Sequence, residues 1–274
     1  MLDIKKKYST SEEFARHTRI NVLNMCYKAK SSHLGGNFSE VDLLSVLYYD
    51  VLRYDPLSTN FINRDRFILS KGHCCAALYS ILADCGFFPI EDLSSFGQNG
   101  SYLSCHVSAN VPGVELSSGS LGHGLNVACG MAYHAKHKQL NHKIYVLVGD
   151  GECDEGSVWE AIMFAGQNKL NNLVMIVDTN RIQAMGFTKD ILDIHPLTQT
   201  LQLFHWKTIE IDGHNHKQIR EALLSSSDDM PTAIIANTIK GKGVSFMENE
   251  LWWHYQVPFG EYYEKALKEL EENK

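Results

Sequence analysis

Short apolar runs alternate with helical periodicities along this chain, and the pattern is clearest between residues 143 and 183. An apolar run at 144–148 ends in Gly149-Asp150-Gly151-Glu152, a helical segment follows at 157–168, and a second apolar run at 173–177 leads into Asp178-Thr179-Asn180-Arg181-Ile182. β-Branched runs bracketing a helical pattern predict strand, helix and parallel strand, a crossover of about 30 residues. Asp150 and Asn180 therefore fall just past the carboxyl ends of two parallel strands, where open α/β sheets collect ligands.

The flanking segments extend the same grammar. Thr10 and Glu13 have capping-box spacing ahead of an apolar stripe of Phe14, Ile20, Val22, Leu23 and Cys26, which predicts a helix over 10–29. A polar, small-residue turn at 30–36 precedes a second helix over 39–52. A short strand is predicted at 64–70, Lys71-Gly72-His73 as a turn, and a helix at 74–84. Residues 86–115 hold few clear elements, which marks them as functional or poorly ordered. A Gly/Ser-rich run at 117–124 leads into a small-residue helix ending at His137. Strands are predicted at 206–211 and 233–237 with a helix at 216–225 between them, and a charged helix at 261–274. With no repeat, low-complexity tract or Pro-rich linker, the expectation is one domain spanning residues 1–274. Its class is α/β, a doubly wound, mostly parallel sheet with helices on both faces.

Composition narrows the function classes. Hydrophobic residues make up 44% of the 274 positions, enough for a sizeable core, and 25 basic against 32 acidic residues give a net charge of −7. Without a Lys/Arg block, nucleic acid is not an expected partner. Seven cysteines without Cys-x-x-Cys spacing suggest neither a disulfide framework nor a zinc site. The charged amino-terminal stretch lacks an apolar signal core, and no run approaches 18 apolar residues, so the reading is a soluble, cytoplasmic chain with no membrane partner.

The candidate chemistry sits at the two strand ends. Glycines beside Asp150 allow a tight turn and close approach of backbone to a bulky anion. A carboxylate with an amide oxygen is hard-oxygen ligation suited to Mg²⁺, which keeps positions open for phosphate oxygens. Either piece alone is commonly a turn or a cap. At this spacing the two together favour a metal-bridged diphosphate site. Four of the thirteen histidines, His33, His73, His106 and His254, fall in turns after predicted elements. A lone turn histidine is usually just solvated, whereas clustered imidazoles can bind hydroxyls and exchange protons near neutral pH. Glu155 and Glu160 open the crossover helix, where acids commonly complement the helix dipole.

Gly149-Asp150-Gly151 with Asp178-Thr179-Asn180 resembles the thiamine-diphosphate motif, and the segment from Gly151 to Ala161 resembles transketolases in particular. Ser32-His33-Leu34-Gly35, the stretch from Arg64 to His73, His106 ahead of Pro112-Gly113-Val114-Glu115, and Lys240-Gly241-Lys242-Gly243 followed by Trp253-His254 are similar to that family's motifs in the same order. The resemblance implies a thiamine-diphosphate-binding fold with Mg²⁺ held by Asp150, Asn180 and the Ile182 carbonyl. It implies that Gly119, Ser120, Leu121, Gly151, His73, Lys240 and His254 contact the cofactor, with Lys71 nearby. It also implies that His33, His106 and His254 meet the sugar donor, and that Glu155 and Glu160 share protons across a subunit interface. Leu34-Gly35, Gly36, His123 and Tyr255 depart from the family pattern, so donor preference is expected to differ.

In transketolases the glutamate that activates the cofactor belongs to a second domain, and this chain stops after the first. The implied protein is thus the N-terminal subunit of a split transketolase, moving a two-carbon ketol unit from a ketose to an aldose phosphate. Its partner would be a C-terminal subunit carrying the pyrimidine-binding and C-terminal domains, in an α₂β₂ assembly. Alternatives are the α subunit of a 2-oxoacid dehydrogenase, a deoxyxylulose-phosphate-synthase-like enzyme, or a non-catalytic cofactor-binding regulator.

Overall fold

The computed structural model describes residues 4–225, 227 and 229–272. Helix α1 (Ser11–Ala29) opens as its sequence predicts: the extended Thr10 accepts from the Glu13 amide at 3.1 Å. The Glu13 carboxylate reaches back to the Ser9 amide at 2.7 Å, one residue before the cap.

Helix α2 (Leu34–Val46) begins five residues earlier than the sequence suggests and continues through a π-helical turn, Leu47–Val51. Gly35 and Gly36 are helical, because their bareness serves packing. A β-carbon on Gly35 would stand 2.9 Å from Lys240 Cγ, and one on Gly36 2.7 Å from Cys74 Sγ. The chain turns at His33 instead, which takes the left-handed region with φ 71°.

Among the described residues five parallel strands form one sheet in the order β1-β2-β3-β5-β4. They are β1 (Arg66–Leu69), β2 (Ile144–Gly149), β3 (Leu173–Thr179), β4 (Lys207–Asp212) and β5 (Thr232–Asn237). The twofold alternation of strands divides the interior. Leu69, Leu147, Val174, Ile176 and Ile234 pack with α1, α2, α3 (Cys75–Asp84), the helix His216–Leu224 and the helix Glu261–Glu272. Ile68, Val146, Met175, Val177 and Ile235 face α4 (Gly124–His137) and α5 (Gly156–Gln167) on the other side. The protein is therefore an α/β fold with a parallel sheet between two helical layers.

The helix Leu197–Leu203 was not anticipated, since Leu197 and Leu201 are its only buried residues and give little periodic signal. The carboxyl-terminal helix starts at Glu261 as expected, and the last two residues assigned to it lie outside the described residues. Residues 86–115 contain one 3₁₀ turn, Ile90–Ser95, yet Leu103, Val107 and Val111 are buried, which anchors the loop carrying His106. All seven cysteines are free thiols. Among the described residues no helix is long and apolar enough to cross a membrane.

One glycine makes the α5 layer testable. A β-carbon on Gly166 would collide with the Phe204 carbonyl oxygen, and the Trp206 indole donates to the Ile162 carbonyl at the same junction. Backbone cannot swing aside as a side chain can, so Gly166→Ala is expected to destabilise the fold by about 2–3 kcal/mol. Urea unfolding reads this directly, and an unchanged midpoint would show that the α5 junction is looser than described.

Candidate active site

The register pairs Gly149 with Asp178, so β2 and β3 end side by side, and their carboxyl ends open onto a cleft of about 300 Å³. Asp150 enters a 3₁₀ turn, Gly151–Asp154, and its carboxylate accepts from the Gly151 amide at 2.8 Å and the Arg181 amide at 2.5 Å. Arg181 takes φ 63°, which reverses the chain after Asn180. The Asn180 side-chain oxygen accepts from the Ile182 amide at 3.1 Å, and the Ile182 carbonyl accepts from Lys240 Nζ at 2.7 Å. Asp150, Asn180 and Ile182 thus share one cleft wall. Burial, and then the neighbouring Asp178 carboxylate, push Asp150 up to about 6.

Beneath this wall lies a charged layer whose roles the sequence did not disclose. Asp178 accepts from Lys71 Nζ at 2.5 Å, Ser39 Oγ at 2.6 Å, the Asn180 amide nitrogen at 3.3 Å, and the Thr238 hydroxyl. Holding the amide nitrogen fixes which way Asn180 presents its oxygen. Lys71 also donates to the Gly36 carbonyl at 3.0 Å and lies 2.9 Å from Glu40. Burial alone would lower the Lys71 ammonium, but Asp178 chiefly outweighs it and holds the group well above the usual amine range. Burial drives Glu40 well above the carboxylate range despite the opposing pull of Lys71. Lys71 reaches the cleft wall, yet its donors are committed to this layer.

Glu152 is the second acid the motif concealed. Its carboxylate accepts from the Ser70 hydroxyl, the Gly122 amide at 2.9 Å and the Gly149 amide at 3.2 Å. It thereby ties together the ends of β1 and β2 and the glycine turn. Acidic residues inside apolar elements, as at Glu40 and Asp178, were the available signal, because buried carboxylates need partners.

The four histidines converge. His33 lies 5.2 Å from His73, 5.3 Å from His254 and 6.3 Å from His106, centroid to centroid. The His33 amide donates to the His254 carbonyl at 3.0 Å. Lys240 Nζ donates to His254 Nδ1 at 2.9 Å, which places the proton of a neutral His254 on Nε2. Burial, then the neighbouring cations and imidazoles, lower His33 and His73 to about 4 and His254 to about 3. Burial lowers Lys240 to about 8. At neutral pH the imidazoles are uncharged beside the ammonium groups of Lys240 and Lys71.

This depression has a consequence for the ligand-free chain. Between pH 6.5 and about 4 the unfolded histidines bind protons that the folded ones refuse, so their contribution to stability is full above 6.5 and falls on acidification. Asp150 works in the opposite direction between about 4 and 6. Melting curves of wild type and of His33→Gln/His73→Gln isolate the histidine share. The double variant should lose less stability between pH 6.5 and 4, and parallel curves would remove the cluster as a cause.

Other predicted residues stand further out. Gly119 and Leu121 line the cleft, and a β-carbon on Gly119 would meet His106 Cδ2 at 2.9 Å; Ser120 is exposed and outside the lining. Glu155 and Glu160 are exposed at the start of α5, away from the cleft wall. His123 is also exposed, with Nδ1 donating to the Leu121 carbonyl at 3.0 Å. Tyr255 forms the rim, 4.6 Å from the His254 ring and 63% exposed.

Comparison with known proteins agrees with this fold. The family model described as "Transketolase, thiamine diphosphate binding domain" matches residues 10–269. The chain is 41% identical over 265 residues to an apulose-4-phosphate transketolase subunit from Phocaeicola vulgatus, covering 96% of this chain and 94% of that one. It is 40% identical over 242 residues to the 6-deoxy-6-sulfo-D-fructose transketolase subunit SqwG of Clostridium sp. MSTE9, covering 87% of this chain and 88% of that protein. The transketolase structure from Campylobacter jejuni superposes with a TM-score of 0.90 at 32% identity, over 96% of this chain and 43% of that longer one.

Proposed function

Because this chain belongs to the transketolase family, as an N-terminal thiamine-diphosphate-binding subunit of a split enzyme, we propose that its cleft anchors a Mg²⁺–diphosphate unit and that a partner chain completes the reaction chamber. The observation that carries this is the shared wall of Asp150, Asn180 and Ile182 under two adjacent parallel strand ends. The donor set fits the group. It offers a carboxylate, an amide and a carbonyl oxygen on a cleft that the glycines at 36, 119 and 151 also line. Asp150, Asn180 and Ile182 would hold the metal, while His73, Gly119, Ser120, Leu121, Gly151, Lys240 and His254 would receive the cofactor. Lys240 offers a point charge to phosphate oxygens.

When bound, thiamine diphosphate supplies the electron sink for breaking and making the carbon–carbon bond. The chain contributes position and proton handling. In this reading neutral His33, His106 and His254 bind and exchange protons with the donor's carbonyl and hydroxyl groups. Glu155 and Glu160 meet a second copy of the chain, beside exposed Met163 and Phe164 on α5. The assembly is α₂β₂ and cytoplasmic, with the described chain acting as one domain.

The test mixes the purified chain with a C-terminal partner carrying the pyrimidine-binding and C-terminal domains, with thiamine diphosphate and Mg²⁺. The relatives' names differ in the sugar they carry, so the panel holds apulose 4-phosphate, 6-deoxy-6-sulfofructose, common ketose phosphates and 2-oxoacids. The expected result is ketol transfer by the pair and none by the chain alone. Turnover by the chain alone, or by the pair with 2-oxoacids only, would overturn the proposal.

A further inference from the structure

Outside the cleft, the buried Asp42 carboxylate in α2 is held by three side chains. Arg19 of α1 grips it with two nitrogens at 2.9 and 2.7 Å, His216 Nε2 lies at 3.2 Å, and His214 Nδ1 at 2.6 Å. Burial would raise this acid, but Arg19 chiefly, then His214 and His216, hold it well below the carboxylate range. The other nitrogen of His214 receives the Ile239 amide at 2.8 Å. A backbone N–H can only donate, so Nε2 carries the lone pair and the proton sits on Nδ1, pointing at Asp42. His214 is thereby fixed as a neutral ring bonded at both ends.

The position of Ile239 gives this link its meaning. It precedes Lys240, whose ammonium bonds the Ile182 carbonyl and His254. The next amide, Gly241, donates to the Gly35 carbonyl at 2.9 Å, on the turn of α2 that follows His33. Asp42 lies further along the same helix. One carboxylate is therefore linked to the Lys240 loop through His214 and belongs to the helix that begins beside His33. None of Arg19, Asp42 and His214 lines the cleft.

We infer that His214 is a positioning residue: braced on Asp42 and Arg19, it holds the Ile239 amide so that Lys240 stands ready for an anionic group. This deepens the reading above, because it takes the cofactor's diphosphate to be that anion. The rival role is a strut that adds stability and leaves the cleft unaffected.

Two substitutions in the full chain separate the roles. His214→Asn keeps a donor for Asp42 but falls short of Ile239. His214→Gln carries an acceptor out to the distance of Nε2. Hydrogen exchange of the 237–243 segment is measured first, and thiamine diphosphate with Mg²⁺ is then titrated with the partner present, reading binding and not turnover. Faster exchange and roughly tenfold weaker binding are expected for His214→Asn, the usual scale for lost outer-shell support, with both restored in His214→Gln. Unchanged exchange in His214→Asn would overturn the brace, and faster exchange with wild-type affinity would reduce it to a strut. If wild type itself shows no Mg²⁺-dependent binding, the cofactor reading fails, and exchange alone decides whether His214 holds the loop.

Discussion

Asp150→Ala is expected to abolish Mg²⁺-dependent binding of thiamine diphosphate and to lower ketol transfer by the assembled pair by roughly a thousandfold. That scale follows from a bound metal contributing several kcal/mol, each tenfold in rate being about 1.4 kcal/mol. Of the three oxygen groups on the wall, Asp150 is the one that brings negative charge to the ion. The substitution also strips the Gly151 and Arg181 amides of their acceptor, so both loops should loosen. Asp150→Asn separates the two effects, since an amide oxygen keeps one backbone bond and nearly the same volume while discarding the charge. It should fold with a melting temperature near wild type and still fail to bind the metal–diphosphate pair. Calorimetric titration with and without Mg²⁺ decides: retained Mg²⁺-dependent affinity in Asp150→Ala would move the metal elsewhere.

The second large effect is on folding. Lys71→Met should destabilise the chain by about 3–5 kcal/mol, because it leaves the buried Asp178 carboxylate without its cation. Whole domains are stable by only about 5–15 kcal/mol, so partial unfolding at ambient temperature is the expected phenotype. Adding Asp178→Asn should recover part of the loss, since the orphaned charge disappears even though the lysine is still missing. Denaturant midpoints for wild type, single and double variants supply the cycle. A single variant as stable as wild type would mean that Asp178 is not ionised beside Lys71. The site is affected too, because Asp178 holds the nitrogen end of the Asn180 amide.

The β2–α5–β3 crossover was legible because local pattern dictates it: β-branched runs make the strands, and strand ends in a parallel pair sit together. Other parts were not, for physical reasons that differ by residue. Gly35 and Gly36 read as turn formers, yet their role is to admit Lys240 and Cys74, contacts made across long stretches of chain. Asp178 meets Lys71 from 107 residues away and Ser39 from 139, distances over which no periodicity speaks. Glu152 looked like one more polar residue of a turn, whereas it joins three loops. The histidines' convergence was inferred from the order of motifs. Nothing in the spacing of His33, His73, His106 and His254 requires their rings to meet.

The strand order bears on how the chain is made. β4 pairs along β5, and β5 separates it from β3, so the strand synthesised last among the five is inserted between two earlier ones. A nascent chain that ends before Thr232 presents the raw edge of β3 and leaves β4 without its sheet neighbour, the kind of surface on which aggregation begins. Lys240 and His254 emerge later still. In the interval between release of β3 and arrival of β5 the growing chain therefore has an open sheet edge and an incomplete cleft wall.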